Sequence, residues 1–160
     1  MAQTSHGGHL EKDDFLDIID KTPLVSIDLI IKDSNNRALL GYRNNHPARG
    51  FWFVPGGRIR KNETLAQAMK RIALNELGLE ISITRALILG AYAHIYNDNF
   101  HTKPGIKTHY VALGYEIKLP CNQAIKMDTQ HSEIQWWSIE DLLKSEAVHR
   151  NTKAYFLDLL

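Results

Sequence analysis

Residues 57–79 read GRIRKNETLAQAMKRIALNELGL, and this stretch constrains the chain more than any other. Thr64 and Gln67 form the two ends of a capping box, so a helix is expected to begin after Thr64. Ala, Leu, Gln, Met and Lys sustain it, and Gly78 supplies the left-handed stop. At 3.6 residues per turn, Leu65, Met69 and Ile72 share one face, with Ala68 and Ala73 at its margins. Glu76 falls on that same apolar face. A carboxylate there must be paired, bound to a metal, or swung out to water from the last turn.

Composition narrows the setting. A chain of 160 residues with 44% hydrophobic content and a net charge of +1 suits one globular domain, with no polyanion-binding surface implied. Residues 1–12 are expected to be a disordered tail and 13–160 a single domain. The lone Cys121 permits no internal disulfide and fits a reducing compartment. There is no apolar run of membrane-spanning length and no signal-peptide core, so a soluble cytoplasmic protein is expected.

In chain order, Asp13–Ile19 is a short helix candidate ended by Thr22-Pro23. Leu24–Lys32 reads as a buried strand interrupted by Asp28, which is either functional or exposed at an edge. Ala38–Arg43 returns as a hairpin partner. Phe51–Val54 is a short aromatic strand, and Pro55-Gly56-Gly57 is expected to turn sharply and present carbonyls. Ile81–Tyr96 and Thr108–Lys118 read as strands around a polar loop over 97–107. Leu119–Ser132 is long enough to be a site loop. Ile134–Trp137 reads as a strand, Ser138 caps a helix over Ile139–Leu143, and Asn151 caps a last helix through Leu160. Phe51, Trp52, Trp136 and Trp137 are expected in the core. The fold class is α/β (α+β), a mixed, curved sheet between helices.

The 57–79 stretch resembles the Nudix box. Gly57, Glu63, Arg71, Glu76, Gly78 and Leu79 stand at that family's spacing, whereas Ile72 and Asn75 stand where the family usually has glutamates. The resemblance runs through TPLVSIDLII, the LLGYRNNHPARGFWFVPGGR block, AHIYNDNF, THYVALGY and DTQH, and within the family it points to the GDP-mannose mannosyl hydrolases. What it implies is the Nudix fold, a homodimer, and hydrolysis of GDP-mannose, or GDP-glucose, to GDP and free sugar at the sugar carbon. One Mg²⁺ per subunit is expected, with Mn²⁺ able to substitute, because fewer carboxylates hold fewer cations. Its implied ligands are Glu76, the Gly56 carbonyl and the Gln130 side chain.

The residue chemistry agrees in outline. Ile72 cannot activate water and Asn75 is a poor base, so the base is expected elsewhere; the resemblance, through its DTQH stretch, implies His131, an imidazole being suited to take a proton near neutrality. Arg43 and Arg58 are the candidate grips on a diphosphate. Arg71 is expected to pair with Glu63. Tyr110 is a candidate donor to the departing phosphate oxygen, or else a half-buried strand tyrosine. Asp28 and His94 are candidates to bind sugar hydroxyls or orient Arg43. Two rivals remain at this level: a nucleotide-sugar pyrophosphatase giving GMP and a sugar phosphate, and a catalytically silent nucleotide-binding domain.

Overall fold

The computed structural model describes residues 10–125 and 131–157, the side chains of 131 and 132 excepted. The expectations for residues 1–9, for Gln130 and for a helix reaching Leu160 lie outside them.

Alternation along one strand organises both layers. β1 (Leu24–Lys32) is the central strand of a mixed sheet ordered β3-β2-β1-β6-β5, with β2 at Ala38–Arg43, β3 at Trp52–Phe53, β5 at Leu87–Tyr96 and β6 at Thr108–Lys118. β4 (Gly56–Arg58) also pairs with β1, and β7 (His131–Trp137) pairs with β2. β1 and β6 run parallel; the other pairs are antiparallel. Because strand side chains alternate, Ile27, Leu29 and Ile31 point to one face, where Met69, Ile72 and Leu77 of helix α2 (Leu65–Leu77) meet them. Ile30 points to the other face, into a second core with Trp52, Phe53 and Leu142. Asp28 has the same parity as Ile30, so it belongs to that second face and is 6% exposed. It is no edge residue.

Helix α2 begins and ends as its sequence dictates. Thr64 and Gln67 satisfy each other's backbone N–H, and Gly78 caps the end at φ 66°. Leu65 differs from expectation: it is the first residue of the helix, and its side chain stays 42% exposed. Arg71 donates from Nε to Glu63 Oε1 at 2.5 Å and from Nη2 to Glu63 Oε2 at 2.9 Å, as the sequence suggested. The same Nη2 reaches the Arg58 carbonyl at 2.8 Å. One guanidinium thereby ties the helix, the preceding loop and β4 together.

Elsewhere the elements shift modestly. The first helix, α1, spans Lys12–Lys21. The expected strand from Ile81 begins only at Leu87, because the Ser82 side chain caps a 3-10 turn over Ile83–Arg85. Helix α3 (Ile139–Lys144) starts at Ser138 as expected. The last helix, α4, covers only Arg150–Lys153, and its cap is His149 rather than Asn151, with His149 Nδ1 accepting from the Asn151 N–H at 3.1 Å. A 3-10 turn, Ala154–Phe156, follows. Trp52 is buried and Trp136 and Trp137 pack on the two cores, but Phe51 is 38% exposed, its ring edge-on to His149 at 5.2 Å. No described helix is long and apolar enough to cross a membrane.

Removing the guanidinium should loosen this arrangement. Arg71→Ala is expected to cost about 1–3 kcal/mol, since both partners are only partly screened by water. Urea denaturation reads it directly; an unchanged midpoint would mean that Arg71 anchors nothing.

Candidate active site

Six strands and one helix deliver the walls of a cleft of about 430 Å³. It lies on the second face of the sheet, where Ser26 and Asp28 project from β1. Across the strands, His94 of β5 is in register with Tyr110 of β6, and Tyr96 with Thr108, so alternation turns all four into the cleft. Phe15 and Ile19, one helical turn apart on α1, close another side. Arg43 at the end of β2, Gly56, Gly57 and Arg58 of β4, and Phe53 of β3 also line it.

Five expected side chains therefore converge: Asp28, Arg43, Arg58, His94 and Tyr110 all face this cleft, as does Gly56. Arg43 donates from Nε to the Pro47 carbonyl at 3.0 Å and lies over the Phe53 ring at 5.8 Å. Arg58 lies over the Phe15 ring at 5.0 Å, and burial pulls its pKa down. Burial pushes the Tyr110 phenol up, so it stays protonated and able to donate.

Asp28 is the costly group. Burial raises its carboxyl to about 6, against a hydrogen bond from Tyr155 Oη to Oδ2 at 2.6 Å and the field of Arg43. His94 is buried too, and burial, with the nearby His149, lowers it to about 4. Its Nδ1 stands 3.8 Å from Asp28 Oδ2, so the contact joins a neutral imidazole to a carboxylate and is no ion pair at neutral pH. His94 Nε2 is buried without a hydrogen-bond partner among the described residues.

The Pro-Gly-Gly segment departs from expectation. Gly56 and Gly57 do not turn sharply; they form β4 against β1, with Gly56 opposite Asp28 and Gly57 opposite Ile27. The reason is steric. A Cβ on residue 56 would stand 2.5 Å from Asp28 Oδ1 and 2.6 Å from the Ile27 carbonyl oxygen. On residue 57 it would meet Ile72 Cγ1 at 3.1 Å.

Glu76 is 7% exposed on the inner face of α2, which packs against β1 and β4. It did not swing out to water, and it lies outside the cleft lining. Gln130 lies outside the described residues, and His131 is placed by its backbone alone, at the start of β7 and in register with Arg43. Among the described residues no three His, Cys, Asp or Glu side chains gather as a metal site. Glu76 and the Gly56 carbonyl offer oxygen donors only, the donor chemistry that suits one hard cation completed by water and phosphate.

Sequence reasoning missed several residues. Tyr96 and Thr108 were available from alternation, two positions from His94 and Tyr110, and Phe15 from its spacing to Ile19. His46 Nδ1 meets Asp98 Oδ2 at 2.5 Å, joining the loop after β2 to the loop after β5 beside the cleft. No local pattern signals that pair, nor Tyr155.

Asp28→Asn tests the cost of the buried charge. The folded-state pKa of about 6 lies above the ordinary 3.8, so the native fold holds this proton more tightly and loses stability as pH rises from 3.8 through 6. The amide should therefore stabilise the metal-free protein by on the order of 1–3 kcal/mol at pH 7.5. The gain should vanish near pH 3.5. Denaturation with chelator at both pH values checks it, and an equal effect at each would contradict the assignment.

Comparison with known proteins gives the context. The NUDIX domain family matches residues 22–160. The low-salt glycan biosynthesis protein Agl8 of Haloferax volcanii is 43% identical over 124 residues, covering 77% of this chain and 76% of that protein. An 8-oxo-dGTP diphosphatase of Proteus vulgaris is 32% identical over 87 residues, covering 53% and 75%. The solved MutT NUDIX hydrolase of Burkholderia pseudomallei superposes with a TM-score of 0.71 at 24% identity, covering 88% of this chain and all (100%) of that one.

Proposed function

This chain belongs to the NUDIX domain family, and on that premise we propose that it hydrolyses a nucleotide sugar, GDP-mannose, at the anomeric carbon. The observation that carries the reading is Ile72. It stands where the box usually bears a glutamate, it is 1% exposed beneath Gly57, and the neighbouring Asn75 is exposed and uncharged. A base for attack on phosphorus is therefore lacking at those two box positions, while the cleft carries the groups a departing diphosphate requires. Similarity to a protein of glycan biosynthesis supports a sugar nucleotide as substrate.

In this reading Arg43 and Arg58 bind the diphosphate and neutralise the charge that grows as it leaves. Tyr110 donates to the oxygen released from C1. Asp28 and His94 take up sugar hydroxyls. A water on the opposite face of the ring attacks C1 and its proton passes to the His131 imidazole, while the C1–O bond breaks toward GDP. Glu76, the Gly56 carbonyl and Gln130 would hold one Mg²⁺, or Mn²⁺ in its place, which when bound supplies charge neutralisation at the phosphates. With no covalent nucleophile, a single displacement inverts the anomeric centre.

Hydrolysis in ¹⁸O-labelled water tests this. The label is expected in mannose and absent from GDP, and α-linked substrate should first give the β-sugar by NMR. Label in phosphate would favour the pyrophosphatase reading, which the likeness to a diphosphatase keeps in view. No turnover with Mg²⁺ would favour a silent binding domain.

Two substitutions separate the roles. Glu76→Gln should weaken Mg²⁺ binding and lower turnover by several orders of magnitude, read by titrating activity against Mg²⁺. His131→Gln should lower the rate on the order of 10²–10⁴-fold and erase the ascending pH limb while GDP still binds. Retention of that limb would place the base on another residue.

A further inference from the structure

Behind the cleft, one phenol from the C-terminal segment meets the buried carboxylate of β1. Tyr155 is 7% exposed, and its hydroxyl makes the one side-chain hydrogen bond to Asp28 among the described residues, to Oδ2 at 2.6 Å. The other oxygen, Oδ1, lies toward Gly56 at the cleft wall, 2.5 Å from where a Cβ would stand there. The two oxygens thus have different surroundings: Oδ2 meets Tyr155, with His94 Nδ1 at 3.8 Å, and Oδ1 faces Gly56, which lines the cleft.

The phenol is held firmly. Gly114 leaves its room: a Cβ there would stand 2.7 Å from Tyr155 Cε1. Tyr92 meets the ring edge-on at 4.6 Å and His94 at 5.7 Å. The segment carrying it is pinned to the strand before β4. Thr152 Oγ1 accepts from the Val54 N–H at 3.3 Å, and the His149 N–H donates to the Trp52 carbonyl at 3.1 Å.

We propose that Tyr155 is the positioning residue of the sugar subsite, fixing Asp28 so that Oδ1 accepts from a ligand hydroxyl. The physical need is clear. The last torsion of an aspartate is broad and close to two-fold, so an unheld carboxylate would spread its acceptor directions. A hydroxyl donor on one oxygen removes that freedom and leaves the other oxygen's lone pairs for the ligand. The rigid ring sets the direction, as reaction geometry demands to within a fraction of an ångström. This role rests on reading the cleft as a sugar-nucleotide site.

The test is a double-mutant cycle with Tyr155→Phe and Asp28→Asn in the full chain with Mg²⁺. Tyr155→Phe keeps the ring against Gly114 and removes only the donor. It is expected to lower kcat/KM for GDP-mannose roughly 10- to 100-fold while leaving the calorimetric affinity for GDP unchanged, because GDP lacks the mannosyl group that Asp28 is held to receive. Tyr155→Phe should then add little to Asp28→Asn, since the phenol acts only through the carboxylate. Additive losses, or a Tyr155→Phe enzyme of full activity, overturn the proposal. Equal loss of GDP affinity also overturns it, because it would mark a general structural role.

Should Tyr155→Phe fail to fold, Gly114→Ala displaces the same ring from the other side and must give the same selective loss. The two readings fail separately. If the enzyme turns over another nucleotide sugar or attacks phosphorus, the proposed reaction changes, and the cycle run on that substrate still decides Tyr155. If nothing is turned over, the same cycle in affinity for GDP-mannose relative to GDP decides it.

Discussion

The closeness of β4 to β1 is the constraint on which the site depends. Two strands pair at their usual spacing, yet β1 bears an aspartate whose oxygen occupies the place of a side chain on residue 56. Only glycine permits that approach. Once β4 lies there, Arg58 follows directly at the cleft wall and its carbonyl is caught by Arg71. The next glycine lets Ile72 of α2 press against the strand from the far side. A thin glycine ribbon thus separates an oily helix face from a polar cleft, and a group on α2 and a group on β1 are held near the same backbone.

Asp28 shows what that placement costs. Stability alone would favour an apolar residue in phase with Ile30, since the carboxyl is buried among rings and its ionised form is disfavoured. The neighbours moderate the penalty without abolishing it: a phenol donates to one oxygen and Arg43 supplies a positive field. His94 adds no charge, being held neutral. Buried polar groups with such specific partners, gathered in a cleft, are the pattern expected where binding and not folding selects the residues.

How much of this was legible in the sequence depended on whether the signal was local. The capping box, the Gly78 stop, the Glu63–Arg71 pair and the Ser138 cap each lie within a few residues, and each was found. Asp28, His94 and Tyr110 were each named as candidates, but only the pairing of β1 with β6 and of β6 with β5 brings them together. What failed was tertiary. Gly56 and Gly57 looked like a turn because their close partner is in β1, some thirty residues earlier. Leu65 looked like core because periodicity assigns a face and not the depth of each residue on it. Asn151 looked like a cap, but His149 takes that place and its own N–H is spent on Trp52. Tyr155 had no signal at all, since its partner lies 127 positions away.

The parallel pairing of β1 with β6 has a consequence for how the molecule comes to exist. Leu24 lies opposite Tyr110, so the central seam of the sheet joins positions 86 residues apart (110 − 24) and encloses β2 to β5 and α2. Such a loop must be closed before its contacts return any free energy, and chains dominated by distant pairings fold slowly. The local pieces, α2 with its caps and the β1–β2 hairpin, can form in microseconds, but the seam cannot. The β5–β6 hairpin can bring His94, Tyr96, Thr108 and Tyr110 together locally, but Ser26 and Asp28 join them only across this seam, so the cleft is complete only once the seam has closed.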